Sequence, residues 1–477
     1  MFVGSRRHGR LDGAVAAMEY PTMTLENAPI PVSEVAAPAG HGEGELPRVL
    51  RPLHLWAIAV GLVISGDYFG WNLGMARSGP VGMAIAVGLV SLMYVCFIFS
   101  YTELSTSIPH SGGPYAYARR ALGPFFGLLA GIATLIEFLF APPAIALAIG
   151  SYVHFREPRL GEVPVAVVVF AFFALLNCLG VALAATFELV VTSLAVFELG
   201  VFFCVTGPHV RIENLVSRPL LPAGFSGVLD AVPFAIWFYL ALEGVAMSAE
   251  EVRNPQRDIP RGFTAGLLTL VLLATGTLVC ATGVLPVTEL AKDDSPLPRA
   301  MAAVLPRSHW LTHMMVYLGL FGLLASFHGI MMGYSRQVYA LSRGGYLPPF
   351  LSFLHPKRKT PVFAVIIPAI VGLLVVWLDK TEQAITLSSI GATVLYVVSM
   401  ISLLVLRKRE PDLRRPFLAP LFPFFPAIAL SLALLCLFAV VSSQPWLALL
   451  ALGFFVIAVL YYLGFAKDRV AATTIKV

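Results

Sequence analysis

Read by hydrophobic and polar positions, the chain is a series of apolar runs of about 20 residues joined by short polar connections. Each run is long enough to cross a hydrocarbon core of about 30 Å as a helix. Twelve runs are expected, at about 53–76, 81–107, 124–150, 163–183, 187–207, 228–249, 262–285, 311–335, 361–378, 384–406, 418–440 and 445–466. The fourth and fifth are parted only by Ala184–Thr186. The first 50 residues lack this pattern, being polar and rich in Pro, Gly and Ala with no signal-peptide core, so 1–52 is expected to be a disordered tail.

Composition agrees. Hydrophobic residues make up 58% of the 477 and charged residues 12%, where a soluble globule carries about 25% charged. Only helices and closed barrels satisfy the backbone inside lipid, and runs of this length and continuity mean helices. The expected class is an all-α polytopic membrane protein. Of the 32 Lys and Arg, 23 fall in the tails and in the loops on the tail side. That places both termini in the cytoplasm, with the bacterial-type cytoplasmic (inner) membrane as the expected location. The net charge of +5 comes from loops such as Arg407–Arg415 and gives no reason to expect nucleic acid. Cys96, Cys178, Cys204, Cys280 and Cys436 lie inside the expected helices without metal-ligand spacing. They read as small core residues, with no metal or other cofactor implied.

Against this background the acids stand out. A charge at the centre of a membrane helix costs roughly 3 kcal/mol on insertion scales, so embedded acids usually have a function. Glu188 is expected near its helix start, where a carboxylate suits the interface. Asp67, Glu137, Glu198 and Glu243 are deeper. In the first run Gly66 and Asp67 interrupt the apolar sequence; in the sixth, Glu243 and Gly244 do so at a similar depth. Paired interruptions of this kind point to an inverted-repeat transporter with a midplane site built from broken helices. Gly66, Gly70 and Gly74 permit the unwinding, although by themselves they equally make a small-xxx-small packing ladder. It is the acids that favour a site.

Three junctions carry a resemblance: Glu103–Gly123 (ELSTSIPHSGGPYAYARRALG), Ala249–Gly262 (AEEVRNPQRDIPRG) and Ser335–Pro349 (SRQVYALSRGGYLPP). They resemble signatures of the amino acid, polyamine and organocation (APC) transporter superfamily, over about 53–406. The resemblance implies a LeuT-like fold: repeats at 53–207 and 228–406 in inverted 5+5 topology, discontinuous first and sixth helices, two added helices at 418–466 and a short tail at 467–477. Gly66–Gly82 is most similar to the ethanolamine permease group. Amino acid permeases carry a Gly-Ser-Gly type sequence whose N–H groups hold the substrate carboxylate. The matching place here reads Gly70, Trp71, Asn72, with Asp67 just upstream, which disfavours an anion.

The resemblance therefore implies a secondary active transporter of a small organic cation, with ethanolamine the leading substrate. Asp67, Glu137 and Glu243 are expected to balance the ammonium, and Tyr68, Trp71 and Trp237 to add cation-π contacts of about 0.5–2 kcal/mol each. Gly66 and Gly70 would shape the break, Asn72 would bond the hydroxyl, and Phe327 would line the site. Trp237 is equally expected as packing, and His328 is expected chiefly as packing, with lining the site beside Phe327 as the alternative. Proton coupling is expected at Glu198 and Glu243; for Glu198 a structural hydrogen bond is an equal alternative. An amino acid permease or exchanger of the same fold, and a transporter-like ligand sensor, remain alternatives. No catalytic set for an enzyme is present. The expected partners are a small amine and membrane lipid, with the protein as a monomer or homodimer.

Overall fold

In the computed structural model, residues 48–179, 181–306, 309–378 and 380–473 are described. Most of the expected 1–52 tail lies outside them. Its last residues are held in place. Leu50 pairs with Val252 through Leu50 N–H to Glu251 O (3.0 Å) and Arg253 N–H to Leu50 O (3.1 Å).

Among the described residues, ten helical stretches are long and apolar enough to cross a membrane. The remaining two of the twelve expected spans are the interrupted first and the ninth, Val362–Val376. The first span runs Pro52–Val63, Ser65–Tyr68 and Trp71–Gly74; the second is Met75–Ser107, the third Pro124–Arg156, the fourth Glu162–Leu179 and the fifth Val181–Thr206. The sixth is Gly224–Trp237 followed by a 3-10 segment, Leu242–Glu251. The seventh is Pro255–Val284, the eighth Trp310–Arg343, the tenth Thr381–Arg409, the eleventh Phe424–Ser443 and the twelfth Pro445–Tyr461. Proline opens several of them, at Pro52, Pro124, Pro255 and Pro445, where its missing N–H costs nothing.

The fifth span begins well before the expected residue 187. The apolar sequence continues through the Ala184–Thr186 connection, and nothing there stops a helix. Glu188 consequently lies inside the helix, fully buried, and not at the interface. The seventh-to-eighth connection folds into two short helices, Val287–Leu290 and Pro296–Val304. The short C-terminal helix Lys467–Ala472 is tied back where Arg119 donates to the carbonyls of Val470 (3.0 Å) and Thr473 (2.6 Å). Of the cysteines, Cys96, Cys280 and Cys436 are core residues, whereas Cys178 is half-buried and Cys204 exposed.

Around the centre, the third span packs on the tenth and eighth, the second on the sixth, and the first on the seventh and fifth. The two interrupted spans meet there.

Candidate substrate site

The first span breaks at Phe69–Gly70. Gly70 has φ +89°, a conformation natural to glycine, and a Cβ there would lie 2.8 Å from the Trp237 indole. At Gly66 a Cβ would overlap the Trp237 carbonyl oxygen, so glycine is what lets the two broken backbones touch. In the sixth span the helix ends at Trp237, and the chain turns through Ala241, a non-glycine residue with φ +75°. Such strain persists only where the surroundings fix it. Here Glu137 of the third span accepts the Ala241 N–H at 3.1 Å.

The four deep acids are all completely buried, and no ion pair to any of them is present among the described residues. Neither carboxylate oxygen of Asp67 has a hydrogen-bond partner; the Thr277 hydroxyl, also unpartnered, stands beside it. Glu137 keeps Oε2 free of donors. Glu243 accepts from Tyr396 O–H at 3.4 Å, and that hydroxyl pairs with Tyr94 at 2.6 Å. The Glu137 and Glu243 carboxyls are neighbours. Glu198 accepts from Tyr68 O–H at 2.7 Å, and its other oxygen faces Gly319 of the eighth span.

The expected residues divide accordingly. Gly66, Gly70, Trp71 and Trp237 gather at the break, where Trp71 stacks on Phe238 at 5.7 Å and Trp237 meets Phe69 edge-on at 5.5 Å. Trp71 donates its indole N–H to the Asp67 carbonyl at 3.1 Å, whereas Trp237 Nε1 has no acceptor. Glu137 and Glu243 adjoin the break in the sixth span. Tyr68 points the other way, to the fifth and eighth spans, and its carbonyl accepts from Tyr152 O–H at 2.8 Å.

Two of the expected residues are held by other partners. Asn72 is held by backbone: its amide donates to the carbonyls of Leu290 (2.8 Å) and Asp293 (2.8 Å), and its oxygen accepts the Gly70 N–H (3.1 Å). In this conformation both amide donors are taken, and only the second lone pair of its oxygen is left to accept from a ligand hydroxyl. Phe327 packs on Phe170 (4.8 Å) and Phe173 (5.6 Å) of the fourth span, not on the aromatic rings of the break. Sequence reasoning passed over Thr277, Tyr396 and Tyr94; hydroxyls are common in apolar helices, and nothing local marked these three. No group of residues suited to a metal ion occurs among the described residues.

The centre is closed at both ends. At one end Asn72 clasps the Val287–Leu290 helix and Asp293. At the other, Arg336 holds Glu251 (2.7 Å) and Ser248 (3.1 Å), while Arg343 and the Ser111 backbone both bind Glu250 at 2.9 Å. In the connection after the second span, burial, together with the nearby Arg343 and Arg119 charges, pushes His110 down to about 4 despite the opposing pull of Glu250. The Gly112 N–H donated to its Nδ1 at 2.8 Å requires that nitrogen to be unprotonated.

Comparison with known proteins follows the same lines. An uncharacterized transporter of Rhizobium meliloti (strain 1021) is 29% identical over 430 residues, covering 87% of this chain and 91% of its own. The branched-chain amino acid permease BcaP of Bacillus subtilis (strain 168) is 26% identical, covering 85% and 90%. The methylthioribose transporter of the same organism is 25% identical, covering 86% and 93%. The amino acid permease family model matches residues 50–466. With two interrupted helices meeting over a buried polar centre, and a family match that runs almost the whole length of the membrane domain, the chain belongs to the amino acid permease family of the APC superfamily and is a transporter.

Proposed function

We propose that the protein imports a small organic cation, with ethanolamine the leading substrate, by alternating access across a bacterial-type cytoplasmic membrane. The carrying observation is the balance of donors and acceptors at the centre. The N–H groups of Gly70 and Ala241, one in each break, are already taken by Asn72 and Glu137. The unpartnered atoms are mostly carboxyl oxygens: both of Asp67, and one each of Glu137, Glu243 and Glu198. Such a site offers acceptors and little to bind an anion. An ammonium brings three donors and a positive charge, which suits it. Besides the Thr277 hydroxyl, Trp237 Nε1 is an unpartnered donor, available to a hydroxyl oxygen.

In this reading Asp67 takes the ammonium, with the Glu137–Glu243 pair as the second carboxyl centre. Glu137 also holds the turn at Ala241 by accepting its N–H. Binding would compensate the buried Asp67 charge and draw the two broken helices together. Direct coupling to a proton involves Glu198 or Glu243. The relatives named for branched-chain amino acids and for methylthioribose leave the substrate class of this chain to be decided by its own site.

The test is binding of ethanolamine, alanine, serine and arginine to purified protein, repeated with Asp67→Asn and Glu137→Gln. Binding of ethanolamine alone, lost in Asp67→Asn, supports the proposal. Tight binding of alanine or serine would refute it and return the protein to the amino acid readers. Ethanolamine counterflow in liposomes separates a transporter of this ligand from a sensor that only binds it.

A further inference from the structure

The fifth and eighth spans hold a buried acid–base pair that the amine site leaves unused. Glu188 Oε2 and His328 Nδ1 are 3.2 Å apart, and neither side chain has exposed surface. Each keeps one unpartnered polar atom, Glu188 Oε1 and His328 Nε2. Burial without a partner is costly for both atoms, and a proton is the ligand that needs no cavity.

Its position links the pair to the moving parts. The carboxylate is seated against glycine: a Cβ on Gly61 of the first span would overlap Glu188 Oε1, and one on Gly329 of the eighth would lie 3.2 Å from it. Gly61 comes just before the helix is first interrupted at Ile64. Two more bonds hold the same segment: Thr192 O–H to Ala57 O at 3.3 Å, and Ser326 O–H to Leu62 O. The rest of the surround is apolar. Phe173 of the fourth span and Phe187 of the fifth stand 5.7 Å and 5.5 Å from the His328 ring, and Leu62 of the first span borders Gly329. None of these neighbours is charged or titratable. The other deep acid of the fifth span, Glu198, is ten residues on, about 15 Å along the helix, and is bonded to Tyr68.

We propose that Glu188 and His328 form a proton-carrying site that controls the Pro52–Val63 segment of the first span. When His328 donates its Nδ1–H to the Glu188 carboxylate, the pair carries one negative charge. A proton from water then forms a bond at Nε2, giving an imidazolium–carboxylate pair with no net charge. Release breaks that N–H bond and returns the proton to water on the side then open; no electrons move. The neutral pair tolerates the apolar wall, and the anionic pair favours hydration, hence departure of the segment carrying Gly61. This inference rests on the chain being a transporter and not on ethanolamine being its substrate.

Two readouts test it. In histidine-labelled protein, the NMR signal absent from His328→Gln is that of His328. It is expected to change when protons are supplied, and Glu188→Gln to alter that change. A signal indifferent to added protons overturns the proposal, whatever the substrate. In liposomes, Glu188→Gln is expected to keep ethanolamine counterflow within about threefold while accumulation driven by a pH gradient falls at least about tenfold. Accumulation retained in both Glu188→Gln and His328→Gln overturns it, as does loss of counterflow and accumulation together, which would mark the pair as a structural contact. If the wild-type protein shows no ethanolamine counterflow, the amine reading fails, and the response of the His328 signal decides the present one alone.

Discussion

Replacing Asn72 by Ala removes the contact that closes one end of the centre. Three hydrogen bonds go: two to carbonyls at 2.8 Å and one from Gly70 at 3.1 Å. The Gly70 bond lies within the first span, so two of them hold the connection; at about 0.5–1.5 kcal/mol net each, the closed conformer loses about 1–3 kcal/mol relative to one in which the Val287–Leu290 connection has swung away and water replaces these bonds. At 1.4 kcal/mol per tenfold, the open-to-closed ratio rises by about 5- to 150-fold. Asn72→Asp should act at least as strongly, since it loses both donors and sets a carboxylate against two carbonyls. Ala76 and Lys292 are exposed on either side of this contact, and spin labels there report the opening by double electron–electron resonance. The expected result is a shift toward longer separations in Asn72→Ala, with weaker apparent substrate binding because the closed state is less populated. Unchanged distances and unchanged binding in both variants would refute the reasoning.

Other perturbations have comparably definite outcomes. Asp67→Asn should lower ethanolamine affinity at least about tenfold in a direct binding assay, because removing one charge–charge hydrogen bond costs about 1.5–3 kcal/mol. Gly70→Ala should lower thermal stability by about 1–2 kcal/mol through its positive φ, with the Trp237 contact adding to the loss; an unshifted melting temperature would contradict the break as described. Arg336→Ala leaves Glu251 buried without its cation, a loss of about 3–5 kcal/mol that Arg336→Ala/Glu251→Gln should partly restore in a thermal melt. His110 is held well below its ordinary 6.5, at about 4. The unfolded chain therefore binds the extra proton first as pH falls: stability is unaffected above about 6.5 and declines progressively toward pH 4, by up to about 3 kcal/mol, an effect that His110→Gln should remove from the pH profile of denaturant unfolding.

The sequence was most legible where polarity broke an apolar run. Asp67, Glu137, Glu198 and Glu243 are conspicuous because a membrane span has few reasons to contain an acid, and all four are buried. Gly66, Gly70 and Glu243 likewise located the interruptions. Direction around a helix was not legible. A span apolar on every side gives no clue to which face meets which neighbour, so Phe327 is found on the fourth span and Tyr68 toward the fifth and eighth. The partners of Asn72 lie 218 and 221 residues away in a connection whose short helices follow from tertiary contact. The start of the fifth span was hidden because an apolar sequence crossing from one helix to the next supplies no stop signal, and that displaced start is what concealed the burial of Glu188.

The four acids differ in how their charge is handled, and the difference argues for separate roles. Glu198 is bound by the Tyr68 hydroxyl, and Glu137 by the Ala241 N–H. Glu243 has Tyr396. These three are built into the protein's own hydrogen bonding, and each maintains a local shape as well as any charge. Asp67 has neither oxygen satisfied, although its backbone carbonyl is fixed by the Trp71 indole. A backbone held in place beneath an unsatisfied carboxyl is what a binding group requires, because the cation then supplies the missing donors without first displacing an internal partner. If the roles are divided in this way, Glu198→Gln should alter the transport cycle while leaving equilibrium ethanolamine binding nearly intact, and Asp67→Asn should abolish binding itself. Equal losses of binding in the two variants would show that the acids act as one electrostatic centre.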